Sequence, residues 1–503
     1  MRLNTWDSIN PKVPARELST VISLITRTIM DKHAALEIRP ATVLNRGIPF
    51  IVLLSYLVLE LQPDLRLAIP EMVASTALIT MLLAAALYFG EKQRITWSPA
   101  MILAIAAVAR LLFLFRSPEL SDDIYRYLWD GLTLLGERNP YAAAPAAVHP
   151  TTGALVVLQR LVNHSGLVTI YPPAAQLVFA AGAMLCGGVI GIKALLVLLD
   201  LGSCFLILRL LATFRLPATM AVLYAWHPLP VLEIGASGHI DAAGIFFVLA
   251  TLCLLSGLPG VVRKNLPPTQ DNSSVSLRIH FPLAFMAGAT FACAILVKLL
   301  PLVFLPGLLP VLRRRRLPFL IGTALGGVAL TIPFLPDLAN AMVTLRIYVE
   351  NWEFAGFFFR YLRHLTGSGE GARMILAVLF LGSAVYWYGR PALARQRKIL
   401  PTGDDGLLAA IRACSGVVTC FLLLTPTLHP WYALYLAAFL PFAASPARLV
   451  LCWSVFLGYR VLIPYSILGQ WIEDDLTPAL ITLAPLAAFF ACLLFRRMKS
   501  PLQ

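Results

Sequence analysis

Charge is what this 503-residue sequence lacks: Asp, Glu, Lys and Arg make up 13% of it, against about 25% in ordinary soluble domains, while 59% is hydrophobic and the mean hydropathy is +0.78. A water-soluble globule is thereby excluded. No basic stripe with interleaved aromatics occurs, so the net charge of +14 does not point to nucleic acid; in a membrane protein it follows from basic cytoplasmic loops. No CxxC spacing occurs among the eight cysteines, Cys186, Cys204, Cys253, Cys293, Cys414, Cys420, Cys452 and Cys492. That excludes the short pairings zinc or redox chemistry needs and leaves them as small core residues. No apolar run follows directly on the charges of MRLNTWDSINPKVPAREL, so no cleaved signal peptide is expected and the chain is expected to start in the cytoplasm. No internal repeat is visible.

Long apolar runs are what is present. A spanning helix needs about 20 apolar residues, fewer where it is short or tilted. Such runs stand near 48–62, 68–90, 97–115, 190–211, 217–236, 240–257, 282–298, 299–312, 318–336, 371–390, 406–425, 431–444, 448–464 and 478–496, an all-α polytopic bundle of about fourteen spans surrounded by membrane lipids. Residues 1–47 are then a cytoplasmic segment in which 19–31 (STVISLITRTIMD) reads as an interfacial helix. With the N-terminus inside, the runs Arg263-Lys264, Arg313 to Arg316, Arg390 to Lys398 and Arg496 to Lys499 fall in the cytoplasm, as the positive-inside rule requires, and so does the C-terminus. The same parity makes 173–188 (PAAQLVFAAGAMLCGG) a partly embedded or membrane-surface helix, because a further crossing there would turn Arg313 to Arg316 outward. Between spans lie an outer loop, 116–189, with amphipathic juxtamembrane helices, a polar inner loop near 258–281 and a second outer loop, 337–370.

The first outer loop opens with RSPELSDDIYRYLWDGLTLLGERNPYAAAP, residues 116–145. Two adjacent carboxylates sit at the mouth of a membrane helix, ahead of an aromatic, amphipathic stretch. A carboxylate at a low-dielectric boundary can take a proton from a sugar hydroxyl, and the faces of Tyr125, Tyr127 and Trp129 can pack on a sugar ring or lipid. Equally, Ser121 to Asp123 is a good N-cap run for the helix that follows, and the two roles can coexist.

These elements, together with Asn139 and Tyr141 in GERNPY and Tyr171 in YPP, resemble the polyprenyl-phosphate-sugar-dependent glycosyltransferases of the GT-C superfamily, with bacterial mannosyltransferase-like members the nearest likeness. The resemblance continues through WHPLPVLEIGASGHIDA at 226–242, LVKLLPLVFLP at 296–306 and TPTLHPWYALY at 425–435, and so covers the chain from about residue 97 onward. It implies a GT-C-like membrane domain over 48–503, a catalytic Asp in the first outer loop, Asp122 as general base with Asp123 as its neighbour, and no cofactor. It also implies a polyprenyl-phosphate sugar donor, mannose foremost, an inverting reaction on the outer face of the inner membrane, and a glycan, glycolipid or protein hydroxyl as acceptor. The two spans before residue 97 are additional to the simplest form of that fold, and they preserve its parity.

A leaving phosphate calls for positive charge or donors near the outer boundary. Arg126, one turn beyond Asp122, is a candidate, with a surface ion pair as the alternative. His239 and Asp241 in GASGHIDA suit sugar hydroxyls or the acceptor, or else a helix cap; the HxD spacing alone supplies too few ligands for a metal. Lys298 is a candidate phosphate partner or a snorkelling cation, and His429, with Trp431 and Tyr432, suits the lipid or sugar entrance or an interfacial anchor. Tyr171, stiffened by Pro172 and Pro173, positions the embedded helix. The loop 337–370, with Arg346, Tyr348, Glu350, Trp352, Glu353 and Arg360, suits acceptor cover. Asp200 and Glu233, inside expected spans, must face protein or water and support the alternative, a secondary transporter or lipid-carrier flippase.

Overall fold

A computed structural model describes residues 40–91, 95–186, 188–258, 273–396 and 406–499. The chain divides into two compact units, Met1–Ile48 and Pro49–Gln503. Of the first, only the start of the helix Pro40–Glu60 is described; the expected interfacial helix at 19–31, Arg263-Lys264, and Arg397 and Lys398 lie outside the described residues.

The second unit is an all-α, multi-pass membrane architecture with no strand among the described residues. Seven helices are long and apolar enough to cross a membrane, and shorter apolar helices accompany them, among them Pro99–Leu114, Pro173–Cys186 and Asp241–Ser256. Local chemistry sets several starts. Ser98 accepts from Met101 N at 3.2 Å ahead of Pro99, and Ser445 accepts from Arg448 N at 3.3 Å ahead of Pro446, each an N-cap followed by a proline that needs no donor.

Two expectations change. The run 217–236 is not one helix: Pro217, Pro228 and Pro230 break it into short turns that end in a π-helical segment, Val231–Ala236. The polar loop near 258–281 is helical in its second half, since the helix Ser273–Val297 begins there. Cys186 is exposed rather than a core residue, whereas Cys204, Cys414 and Cys452 are buried, and the eight cysteines are all free.

The core is held by polar anchors inside apolar packing. Arg110 donates to Asp200 at 2.5 Å and to the carbonyls of Ala106 and Ala225 at 3.1 and 2.7 Å, while Tyr224 donates to the other oxygen of Asp200. Asp200 is wholly enclosed, and its charge is answered within the fold. Tyr56 reaches the Trp226 carbonyl at 2.8 Å and the Trp226 indole reaches Ile102 O at 3.0 Å, which seats the broken 217–236 segment against the Pro99–Leu114 helix.

Two glycines decide how the helix Asp123–Leu135 docks. A Cβ at Gly131 would stand 2.5 Å from the Phe179 carbonyl, so this helix crosses Pro173–Cys186 at contact distance. Gly238 has φ +75°, and a Cβ there would stand 2.5 Å from Ile124 Cδ1 and 3.1 Å from Lys193 Cγ. Only glycine takes that turn without strain, and the turn sets His239 beside the helix that begins at Asp123.

Candidate active site

The chain from Phe113 into the acidic pair is tied down before it turns. Lys193 Nζ donates to the carbonyls of Phe113 and Arg116 at 2.7 and 2.6 Å, and Glu119 accepts from Leu65 N at 2.7 Å and from Arg116 at 2.7 Å. Ser121 Oγ accepts from Asp123 N at 3.3 Å, while Asp122, at the N-cap position, makes no side-chain capping bond. The expected SDD cap is therefore Ser121's alone.

The two carboxylates part company from here. Asp122 is exposed, in the field of Arg66. Asp123 turns inward: Asn163 donates to it at 2.8 Å, the Tyr171 hydroxyl donates at 3.4 Å, His239 Nδ1 lies 3.9 Å away, and 20% of the side chain stays open to solvent. Burial pushes the Asp123 carboxyl above its ordinary value, against the Asn163 hydrogen bond and the nearby Lys298 ammonium.

Aromatic rings wall the site. Tyr127 stacks on Phe179 at 4.4 Å and 7° and meets Tyr171 edge-on at 5.0 Å. On another side four rings stack in sequence, His239 on Trp431 at 4.1 Å, Trp431 on His429 at 4.5 Å, and His429 on Phe354 at 4.8 Å. Both faces of Trp431 are therefore occupied, which leaves neither face free for the sugar or lipid contact considered for it from the sequence. Lys298 Nζ pairs with both oxygens of Asp241, at 2.7 and 2.9 Å, and lies 4.7 Å above the Tyr432 ring; 23% of its side chain is open. Tyr432 shares a short hydrogen bond with Tyr348 of the 337–370 loop. That loop is pinned to the 425–428 turn by Phe354 N to Pro426 O at 3.2 Å, Leu428 N to Phe354 O at 2.7 Å and Thr427 Oγ1 to Trp352 O at 2.8 Å.

Asp123, Tyr127, Tyr171, His239, Asp241, Lys298 and His429 thus share one cluster. Arg126, Asn139 and Tyr141 act on it from outside. Arg126 is buried and does not pair with Asp122; it donates to the carbonyls of Asn163, His164 and Leu167 at 3.2, 2.9 and 3.1 Å, which fixes the turn that presents Asn163. His164 in that turn has φ +46° and meets Trp352 edge-on at 4.8 Å, and burial lowers its basicity. Tyr141 donates to the Tyr171 carbonyl at 2.5 Å, and Asn139 donates to Asp337 at 2.8 Å while accepting from Tyr141 N at 3.1 Å. GERNPY therefore joins the 116–189 and 337–370 loops and sets the height of Tyr171.

Sequence reasoning passed over Asn163 and Tyr459. The first follows a leucine-rich turn of helix with no motif around it, and the second lies within an apolar run. Glu233, expected to face protein or water and to serve as a relay in a transporter, accepts from the Tyr459 hydroxyl on both oxygens, at 2.9 and 2.8 Å, and lies 3.4 Å from His239 Nε2. Among the described residues no three His, Cys, Asp or Glu side chains converge as a set for a metal ion. Compared with known proteins, the chain matches no family profile, no curated protein and no solved structure.

Proposed function

We propose that the chain is a GT-C-type membrane glycosyltransferase that takes a hexose, mannose foremost, from a polyprenyl phosphate and passes it to an acceptor hydroxyl on the outer face of the inner membrane. The observation that carries this reading is Asp123: a half-shielded carboxylate of raised basicity, held by Asn163 and Tyr171, among aromatic rings and next to the Lys298–Asp241 pair. A carboxylate so placed can collect a proton without being permanently paired. The GT-C resemblance implied Asp122 as base; the burial and contacts of Asp123, against the exposure of Asp122, favour Asp123.

In this reading Asp123 takes the acceptor hydroxyl proton, and the freed oxygen bonds to the anomeric carbon from the face opposite the lipid phosphate. The bond from that carbon to the phosphate oxygen breaks, and polyprenyl phosphate leaves with the electron pair. The anomeric configuration inverts. Lys298 keeps one N–H beyond the two directed at Asp241, and that donor can meet the departing phosphate. The aromatic walls exclude water around the developing charge, which strengthens each such contact.

The test is release of polyprenyl phosphate from radiolabelled polyprenyl-phosphate-mannose by purified protein with a membrane-extract acceptor. Asp123→Asn is expected to lower turnover by about 10²–10⁴-fold, the usual contribution of a positioned base, with a smaller effect from Asp122→Asn. No release with any lipid-phosphate hexose would overturn the reading.

A further inference from the structure

His239 is 1% exposed, and neither ring nitrogen has a hydrogen-bond partner among the described residues. A buried imidazole left so is costly unless its nitrogens have work to do. Its surroundings supply that work. Nδ1 lies 3.9 Å from Asp123 Oδ2 and Nε2 lies 3.4 Å from Glu233 Oε2, so the ring stands between two carboxyl groups. The ring plane is fixed by the Trp431 stack, and the backbone N of His239 donates to the Glu233 carbonyl at 2.9 Å. The far carboxyl is anchored by Tyr459 and the near one by Asn163 and Tyr171.

Proton counting narrows the arrangement. A neutral imidazole has one N–H, so between two ionised carboxylates one nitrogen lone pair would face a negative oxygen. A second proton, shared between Nε2 and Glu233, removes that clash and puts the imidazole N–H on Nδ1, toward Asp123. We propose that His239 is a positioning residue for Asp123: its Nδ1–H is directed at the Asp123 carboxylate and favours its charged form, and Glu233, acting at Nε2, holds the ring in that tautomer. At 3.9 Å the contact is one of charge and dipole, and such contacts commonly tighten into hydrogen bonds in a substrate complex. This rests on the reading of Asp123 as the base. It gives the base a fixed direction and a tuned proton affinity.

The groups that face this line are few enough to control. Around Asp123 they are Asp122 and Tyr127 beside it in sequence, His164 from the turn held by Arg126, Tyr171, Asp241 with Lys298, and Tyr348 and Tyr459. Around His239 they are Lys298 and His429, and Tyr459 stands behind Glu233. None of them touches both nitrogens of His239.

The test is an infrared pH titration of full-length protein in nanodiscs with 13C-labelled aspartate, in which the protonated-carboxyl band of Asp123 is the one absent from Asp123→Asn. Loss of a hydrogen-bond donor raises a carboxyl's proton affinity, so His239→Leu is expected to move the Asp123 midpoint up by about one pH unit, a tenfold change. His239→Gln, which keeps a donor, is expected to restore most of it. Glu233→Gln is expected to leave the midpoint in place, because its amide N–H can face Nε2 and hold the same tautomer. An unmoved midpoint in His239→Leu, in protein that elutes as the native chain does, would overturn the proposal, and a Glu233→Gln shift as large as that of His239→Leu would overturn the part given to Glu233. The reading needs no turnover: a shifted midpoint in protein that transfers no sugar would sink the glycosyltransferase while the His239 assignment stood. An unshifted midpoint in an active enzyme would do the reverse.

Discussion

Replacing Gly238 by alanine tests the packing that sets His239 beside Asp123. Two costs add. At φ +75° an L side chain is strained by about 1 kcal/mol, and the new Cβ would lie 2.5 Å from Ile124 Cδ1 and 3.1 Å from Lys193 Cγ. Lys193 is not free to retreat, since its ammonium is held by the Phe113 and Arg116 carbonyls, so Ile124 must move, at about 1–3 kcal/mol for an overpacked core. The expected loss is about 2–4 kcal/mol. Ile124→Val removes the Cδ1 atom itself. Alone it should cost about 1 kcal/mol, but in the Gly238→Ala background it should restore stability, a coupling of about 1 kcal/mol or more. SDS titration of the four proteins in mixed micelles measures the cycle. Additive effects, or a Gly238→Ala loss well under 1 kcal/mol, would refute the geometry on which the site's alignment depends.

Other predictions concern the surroundings of the cluster. Burial pushes the Asp130 carboxyl up to about 6, against Arg126, Thr169 and Gln176, so between its ordinary 3.8 and about 6 the folded chain binds more protons than the unfolded one. Stability must then fall as pH rises through that window, and Asp130→Asn should flatten the dependence and gain ~2 kcal/mol at neutral pH, read by unfolding at a series of pH values; an unchanged pH profile would count against it. Asp200→Asn leaves the enclosed Arg110 guanidinium without its counter-charge and should cost about 3–5 kcal/mol, whereas replacing both by apolar residues should recover most of that; if Asp200→Asn unfolds like the native chain, the pair is not the anchor described. In a transporter Asp200→Asn would instead abolish substrate movement in folded protein, which a vesicle flux assay distinguishes.

The membrane architecture was readable because hydrophobic length is a one-dimensional property, and most expected spans coincide with helices. Where prolines outvote hydropathy the reading went astray, as in 217–236, whose Pro217, Pro228 and Pro230 produce the broken segment that places Glu233 and His239. His239, Asp241, Lys298 and His429 were visible as polar residues at span ends, and the fold gathers them. Which of Asp122 and Asp123 faces inward was not, because adjacent residues at a helix start diverge by about 100° and only the tertiary docking of that helix, set by Gly131 and Gly238, chooses between them. Arg126, one turn from Asp122, read as a surface ion pair or a phosphate partner and is neither in the fold; its carbonyl acceptors at 163–167 come from a stretch with no signature in the chain. Asn163 and Tyr459 act through contacts distant in sequence, which a single chain cannot announce.

The most direct test of the central claim compares binding and turnover in one preparation of Asp123→Asn. The account predicts that polyprenyl-phosphate-mannose still binds with native affinity, since donor contacts lie with Lys298 and the aromatic walls, while release of polyprenyl phosphate falls by about 10²–10⁴-fold. Native rates of release from Asp123→Asn, with the loss found in Asp122→Asn instead, would contradict it.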